Sequence, residues 1–257
     1  MKLDEVIITK AIIDSYFQEL ISNLNVEVII VGAGPSGLTA GYYLAKNKVK
    51  TVIFERTLRP GGGIAGGGMM FNKIVVQESS LPILKELNIT HNKYQKGYYV
   101  ADALEALGQL LSLTIKHGCK IYNLISVEDV MIRDKKITGV VINWSAVEIA
   151  KLHVDPLTIR SKFVIDATGH AAEVVRIVEK KLGAELFTDS KTVVGERPMW
   201  AEVGEQLIIK NTKEIYHNLY VTGMAANAVF GGPRMGPIFG GMFLSGKKVA
   251  EEIIKRL

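Results

Sequence analysis

Apolar positions between residues 3 and 24 recur at helical spacing. Val6, Ile7, Ala11, Ile13, Tyr16, Phe17, Leu20, Ile21 and Leu24 predict one helix with one apolar face. It precedes the first strand, so that face must pack on the outside of the domain or on another copy of the chain. Val26 to Val31 is a largely β-branched apolar run, the pattern of a strand buried on both faces in a parallel sheet. A helical stretch then runs through Lys46, and Lys50 to Phe54 is a second buried strand ending at Glu55. Together they predict a β-α-β unit. Residues 56–73 read as a glycine-rich loop, and helical patterns recur near 79–87 and 102–117. Strand-like segments at 119–125, 127–133 and 137–143 predict a β-meander, followed by a polar connection over 144–160. Phe163 to Ile165 returns as a buried strand, with a helix at 171–182 after it. Beyond an irregular region, Asn218 to Thr222 is a late strand leading through a glycine-rich turn into a terminal helix at 240–256. The alternation predicts an α/β fold with a parallel sheet. No repeat or linker divides it, so one domain is expected over 1–257.

Composition narrows the class. At 48% hydrophobic and 22% charged residues, the chain has ample apolar surface to bury, which excludes disorder. Its glycines cluster at 61–68 and 231–246, which implies special backbone turns rather than a flexible tether. The net charge of +5 is compatible with an anionic substrate. No block of Lys and Arg with interleaved aromatics occurs, so nucleic acid is not an expected partner. Nor is there an apolar run of ~18 residues, so no membrane span is expected. Asp4, Glu5, Asp14 and Glu19 do not fit a signal peptide, and a cytoplasmic enzyme is the expectation. A single cysteine, Cys119, excludes an intrachain disulfide and a Cys-based zinc site. It opens an apolar stretch and is expected to be a buried structural thiol.

The sharpest motif is Gly32-x-Gly34-x-x-Gly37, placed between a predicted strand and a predicted helix. Gly32 permits the tight turn, Gly34 lets the backbone approach a pyrophosphate, and Gly37 lets helix and strand pack closely. The helix N-terminus offers free N–H groups to phosphates. Glu55 lies about twenty positions downstream at the end of the second strand, where an acid accepts hydrogen bonds from ribose hydroxyls. An ADP-containing ligand follows. The order of elements resembles the FAD-binding, glutathione-reductase-like superfamily, with a Rossmann-type parallel sheet and a β-meander. In that superfamily the late strand usually ends in Gly-Asp, whose acid holds the flavin's ribityl chain. Here Gly223-Met224 stands there, and a thioether is a poor acceptor.

His153-Val154-Asp155 and Thr168-Gly169-His170 carry the other candidate chemistry. An extended segment 152–155 would put His153 and Asp155 on one face. His170 follows a buried strand at its carboxyl end, where open α/β sheets bind ligands. Two imidazoles and a carboxylate suit Fe(II) with open positions. A surface His-x-Asp and a helix-capping histidine are the structural alternative. His91, His117 and His217 have no partner in sequence and read as structural, the first two in helix-end or loop contexts. The glycines at 61–68 can lie against a flat or charged ligand. Arg234, flanked by residues with small or no side chains, can clamp a carboxylate or phosphate.

At these residues the chain resembles the thiamine thiazole synthases, in their archaeal form. The likeness runs through VGAGPSGLTA, FERTLRPGGGIAGGGMMF, LHVDPLTI, DATGHAAEV and LYVTGMAANAVFGGPRMGPIFGGMFLSGKKVAEEI. The resemblance implies a transferase-class synthase that consumes NAD as a substrate. Nicotinamide is lost, the ADP-ribose unit isomerises to a ketose, and condensation with glycine and uptake of sulfur give an ADP-thiazole carboxylate. Fe(II) is required. It implies further that Gly32, Gly34, Ser36, Gly37, Glu55 and Arg56 hold the ADP half, that Gly63 lines that site, and that the backbone near Val127 takes adenine. Met224 would contact the nucleotide, Arg234 would take the glycine carboxylate, and Asp155 and His170 would ligate iron. The family assembles as an octamer in which His153, Val154 and Asp155 of one subunit reach the neighbour's site. Eukaryotic members sacrifice a cysteine sulfur at the position that here holds His153, so free sulfide is the implied donor. The catalytic set is then His153, Asp155 and His170. Rival readings are an FAD-dependent oxidoreductase of the same fold, a ribose-phosphate isomerase, an Fe(II) oxygenase and a non-catalytic nucleotide-binding module.

Overall fold

A computed structural model describes residues 2–183 and 185–257. The chain opens with α1 (Glu5–Ser22), whose N-cap Asp4 accepts the free N–H groups of Val6 and Ile7. The expected β-α-β unit follows as β1 (Val28–Val31), α2 (Pro35–Lys46) and β2 (Thr51–Glu55), with β1 and β2 parallel. Next come β3 (Lys73–Val76), α3 (Leu81–Glu86), β4 (His91–Gln95), β5 (Tyr98–Asp102), α4 (Ala103–Lys116) and β6 (Lys120–Asn123). A second group is β7 (Ile125–Arg133), β8 (Lys136–Trp144), α5 (Ser145–Ile149) and β9 (Leu157–Arg160). The chain closes with β10 (Phe163–Asp166), α6 (Glu173–Leu182), α7 (Ala201–Asn211), β11 (Lys213–Tyr216), β12 (Leu219–Val221), α8 (Met224–Phe230) and α9 (Gly240–Ile254).

Among the described residues the main sheet has the order β11-β12-β10-β1-β2-β6. Its pairs are parallel except at the β11 edge. This is the Rossmann-type α/β fold read from the sequence. Strand alternation sorts the core into two layers. Ile30 and Ile53 point to the side of α2, α4 and α9, where they join Leu38, Leu110 and Phe243. Ile29, Val52 and Phe54 point to the other side and pack with Ile137, Val140 and Val178 of β8 and α6.

Several expectations need correction. The segment 119–125 is not part of the meander, because Lys120–Asn123 pairs in parallel with β2 at the edge of the main sheet. The meander is β7-β8-β9. Its third strand comes from 144–160, expected to be a polar connection; only Ile159 of β9 is buried, too little to register as a pattern. A small antiparallel sheet β3-β5-β4 also went unforeseen. Its β4, His-Asn-Lys-Tyr-Gln, is largely exposed and carries no apolar alternation, and His91 begins that strand rather than lying in a loop or at a helix end. The region expected to be irregular contains α7 and β11. His117 and His217 are structural as read: His117 caps α4, its Nδ1 2.8 Å from the Leu113 carbonyl, and His217 stacks edge-on against Phe187.

The first helix forms as expected, and much of its apolar surface is bare. Tyr16 meets Tyr122 edge-on and Lys120 reaches Glu19 at 2.6 Å. Leu20 is the buried residue of α1, while Val6, Ile7, Ile12, Phe17 and Ile21 are all more than half exposed. No described helix is long and apolar enough to cross a membrane.

Candidate active site

The carboxyl ends of β1, β2 and β10 open onto a cleft of about 600 Å³, the size class of a nucleotide pocket. One wall is the β1–α2 turn. Gly32 has φ +101°, and a Cβ there would sit 2.5 Å from the Ala167 carbonyl oxygen. A Cβ on Gly37 would run into the carbonyl of Gly32, so Gly37 serves close helix packing and does not line the cleft. Gly34 differs: a Cβ there would meet no protein atom within 4 Å. It would project into open space at the N-terminus of α2, where Gly34 is the N-cap and Pro35 the first residue. Bare backbone and a helix N-terminus share one spot, as anion binding requires. Ser36 lines the same wall.

Glu55 stands at the end of β2, nearly buried. Its Oε2 accepts from the Ala33 N–H at 2.9 Å, and its Oε1 from the Thr57 N–H at 2.8 Å and the Thr57 hydroxyl at 2.7 Å. The carboxylate is therefore locked on the rim, and remaining lone pairs can accept from a vicinal diol. Arg56 reaches Glu173 across the cleft, Nη1 to Oε1 at 2.5 Å. Burial pushes the Glu173 carboxyl up, opposed by the Arg56 charge. Gly63, Val127 and Met224 also line the cleft. At Val127 the β7–β8 ladder shifts register before Asp129, so Glu128 falls outside the pairing.

The far end of the cleft is built by the turn between β10 and α6. Asp166 is fully buried and holds the Thr168 N–H at 3.0 Å, the Thr168 hydroxyl at 2.6 Å and the Val175 N–H at 3.0 Å. Burial pushes its carboxyl up, while these hydrogen bonds pull it down. That clamp fixes the single 3-10 turn Gly169–Ala171, which puts His170 on the cleft. The Nδ1 of His170 lies 2.5 Å from Glu196 Oε1. Glu196 Oε2 is in turn 4.0 Å from Arg234 Nε. Arg234 is thus near the His170 end without lining the cleft itself. Glu196 was not singled out from the sequence. It sits outside regular structure, 26 positions from His170, and only the tertiary fold joins them.

The 152–156 segment is exposed and lacks regular structure. Val154 and Asp155 line a second, smaller cleft of about 150 Å³ between α1 and the meander. His153 lines neither cleft. Phe54 and Ile125 border both clefts and separate them. Within one chain Asp155 and His170 do not share a cavity. Among the described residues no group of three or more His, Cys, Asp or Glu side chains is placed to hold a metal ion.

The model of the Thi4 family matches residues 9–239, the glycine fingerprint, the His170 turn and the Arg234 loop included. The chain belongs to the Thi4 family. The thiamine thiazole synthase of Methanothermobacter thermautotrophicus is 58% identical over 257 residues, with both chains covered end to end. That of Desulfosudis oleivorans is 55% identical, again over the whole of both. The crystal structure of Thermovibrio ammonificans THI4 has a TM-score of 0.96 and 49% identity, covering 100% of this chain and 99% of that one. The likeness to that structure therefore extends over the whole chain, α1 and the small β3-β5-β4 sheet included.

Proposed function

We propose that the chain is a thiamine thiazole synthase that converts NAD, glycine and sulfide into an ADP-thiazole carboxylate with Fe(II). The thiazole-synthase part rests on Thi4 membership and on relatives of that name matched end to end. The observation that carries the finer reading is the single cleft with an anion-binding turn and Glu55 at one end and His170 at the other. In this reading the pyrophosphate lies on Gly34 and the α2 N-terminus, and Glu55 accepts from the adenosine ribose. The backbone near Val127 takes adenine, Arg56, Ser36, Gly63 and Met224 flank the nucleotide, and the reacting ribose extends toward His170. A locked carboxylate at Glu55 repels a 2′-phosphate, which favours NAD over NADP. Arg234 is the cation available for the glycine carboxylate.

The residues fit a metal on one condition. His170 has one ring nitrogen engaged by Glu196 and the other left for the cleft, as in a metal-ligating histidine. Asp155 is exposed on a loop and reaches a neighbour's cleft only if copies assemble. The bare apolar face of α1 supports assembly, since large exposed apolar patches mark association sites. We read the assembly as an octamer. Fe(II) held by His170 and a neighbour's Asp155 would supply Lewis-acid polarisation and a template for the condensing partners. Anaerobic assay with NAD, glycine, sulfide and Fe(II), read by mass spectrometry of released adenine nucleotides, tests this reading. An ADP-thiazole supports it. Stoichiometric FAD with no thiazole defeats it, and Met224 in place of a ribityl-binding acid speaks for the first outcome.

Sulfur is expected from outside the protein. Cys119 is fully buried, and burial pushes its thiol well up, which makes it a poor nucleophile. His153 has no sulfur to give. Cys119→Ala should keep the wild-type rate with sulfide supplied, and the intact mass of the wild-type chain should not fall after many turnovers. Loss of one sulfur per product would show Cys119 to be the donor.

A further inference from the structure

His170 and Arg234 lie 64 positions apart in sequence, on two different loops. Both face one carboxylate. Glu196 Oε1 is 2.5 Å from His170 Nδ1, and Glu196 Oε2 is 4.0 Å from Arg234 Nε. The Glu196 side chain is only 18% exposed, whereas those of His170 and Arg234 are 52% and 58% exposed. The carboxylate is thus the buried member and the two functional side chains are the exposed ones. Backbone bonds on both sides hold its loop in place, among them the Gly195 N–H donating to the Ala228 carbonyl at 2.9 Å and the Arg197 N–H to the Gly232 carbonyl at 3.1 Å.

We propose that Glu196 is a positioning residue that aims His170 and Arg234 together. This rests on the reading of His170 as a metal ligand and Arg234 as a carboxylate clamp. An ionised carboxylate has no proton, so the short contact has His170 Nδ1–H donating to Glu196. That fixes the tautomer in which Nε2 keeps its lone pair and serves the cleft. A carboxylate behind a ligating imidazole orients the ring. The other oxygen attracts the Arg234 guanidinium without closing a hydrogen bond, which leaves the donor fork free for an incoming carboxylate. One side chain therefore sets the separation between the metal ligand and the clamp, and with it where the two reactants meet.

The two functions separate in two variants. In Glu196→Gln the amide oxygen can still accept from Nδ1–H, but the charge facing Arg234 is gone. In Glu196→Ala both are lost. The readouts are the visible spectrum and affinity of Co(II) added to the assembled protein, and the KM for glycine against kcat. Glu196→Ala is expected to weaken Co(II) binding by roughly 10-fold or more and to change its spectrum. Glu196→Gln should keep the spectrum close to wild type and show its loss chiefly as a raised KM for glycine. Melting temperature within a few degrees of wild type confirms that each variant is folded. His170→Ala separates the levels. If it abolishes Co(II) binding while Glu196→Ala leaves affinity and spectrum unchanged, the positioning role is wrong. If His170→Ala itself binds Co(II) as the wild type does, the metal-ligand reading has failed instead.

Discussion

Gly34→Val should leave a folded protein that no longer binds nucleotide. The three fingerprint glycines are not equivalent. Gly32 adopts φ +101° and faces the Ala167 carbonyl, and Gly37 faces the Gly32 carbonyl, so a side chain at either collides with backbone. Both substitutions should damage the fold, by several kcal/mol for the backbone clash and strain. Gly34 has ordinary extended backbone and nothing within 4 Å of a Cβ. The cost of valine there is that of a poor helix N-cap, about 1 kcal/mol. Its isopropyl group would instead occupy the space where a pyrophosphate meets the α2 N-terminus. NAD affinity should fall by ~100-fold or more, because the phosphate loses close backbone approach and with it the charge-assisted N–H bonds. Calorimetric titration with NAD, together with a thermal melt, checks both halves. Wild-type affinity in a folded Gly34→Val would mean that the cleft binds its ligand elsewhere.

The same glycines show what was legible in the sequence. Strands buried on both faces announce themselves as apolar runs, so β1, β2, β10 and β12 were readable, and the turn after β1 with them. Glu55 was readable because its position follows from strand length. The strands that escaped are those with few buried residues, such as β4 and β9. Pairing partners escaped too: Lys120–Asn123 is strand-like whichever sheet it joins, and only the register with β2 decides. In the site, His170 was visible as a polar residue after a buried strand. Glu196 was not, since an acid in a loop has no local signature and its role comes from contacts far apart in sequence. The apolar face of α1 was visible, but periodicity says only that such a face exists, not whether its own domain or another copy covers it.

That unresolved face leads to the largest expected effect. Asp155→Ala and His170→Ala should each abolish thiazole formation, and co-assembly of the two inactive chains should restore part of it. The reason is the separation seen within one chain: His170 lines the nucleotide cleft, while Asp155 lies beyond the wall of Phe54 and Ile125 on an exposed loop. If each site takes His170 from one copy and Asp155 from the next, a mixed assembly contains sites in which both residues are intact. Random assortment of equal amounts gives about one intact site in four, since each of two positions must be filled by the right variant. Coexpression with two different affinity tags and sequential purification isolates the mixed assemblies. Recovery near that fraction, with Fe(II) dependence restored, would fix Asp155 as the residue a neighbour supplies. If the mixed assemblies form and stay inactive, Asp155 and His170 must act within one chain, and the loop 152–156 would have to swing past Phe54 to bring them together.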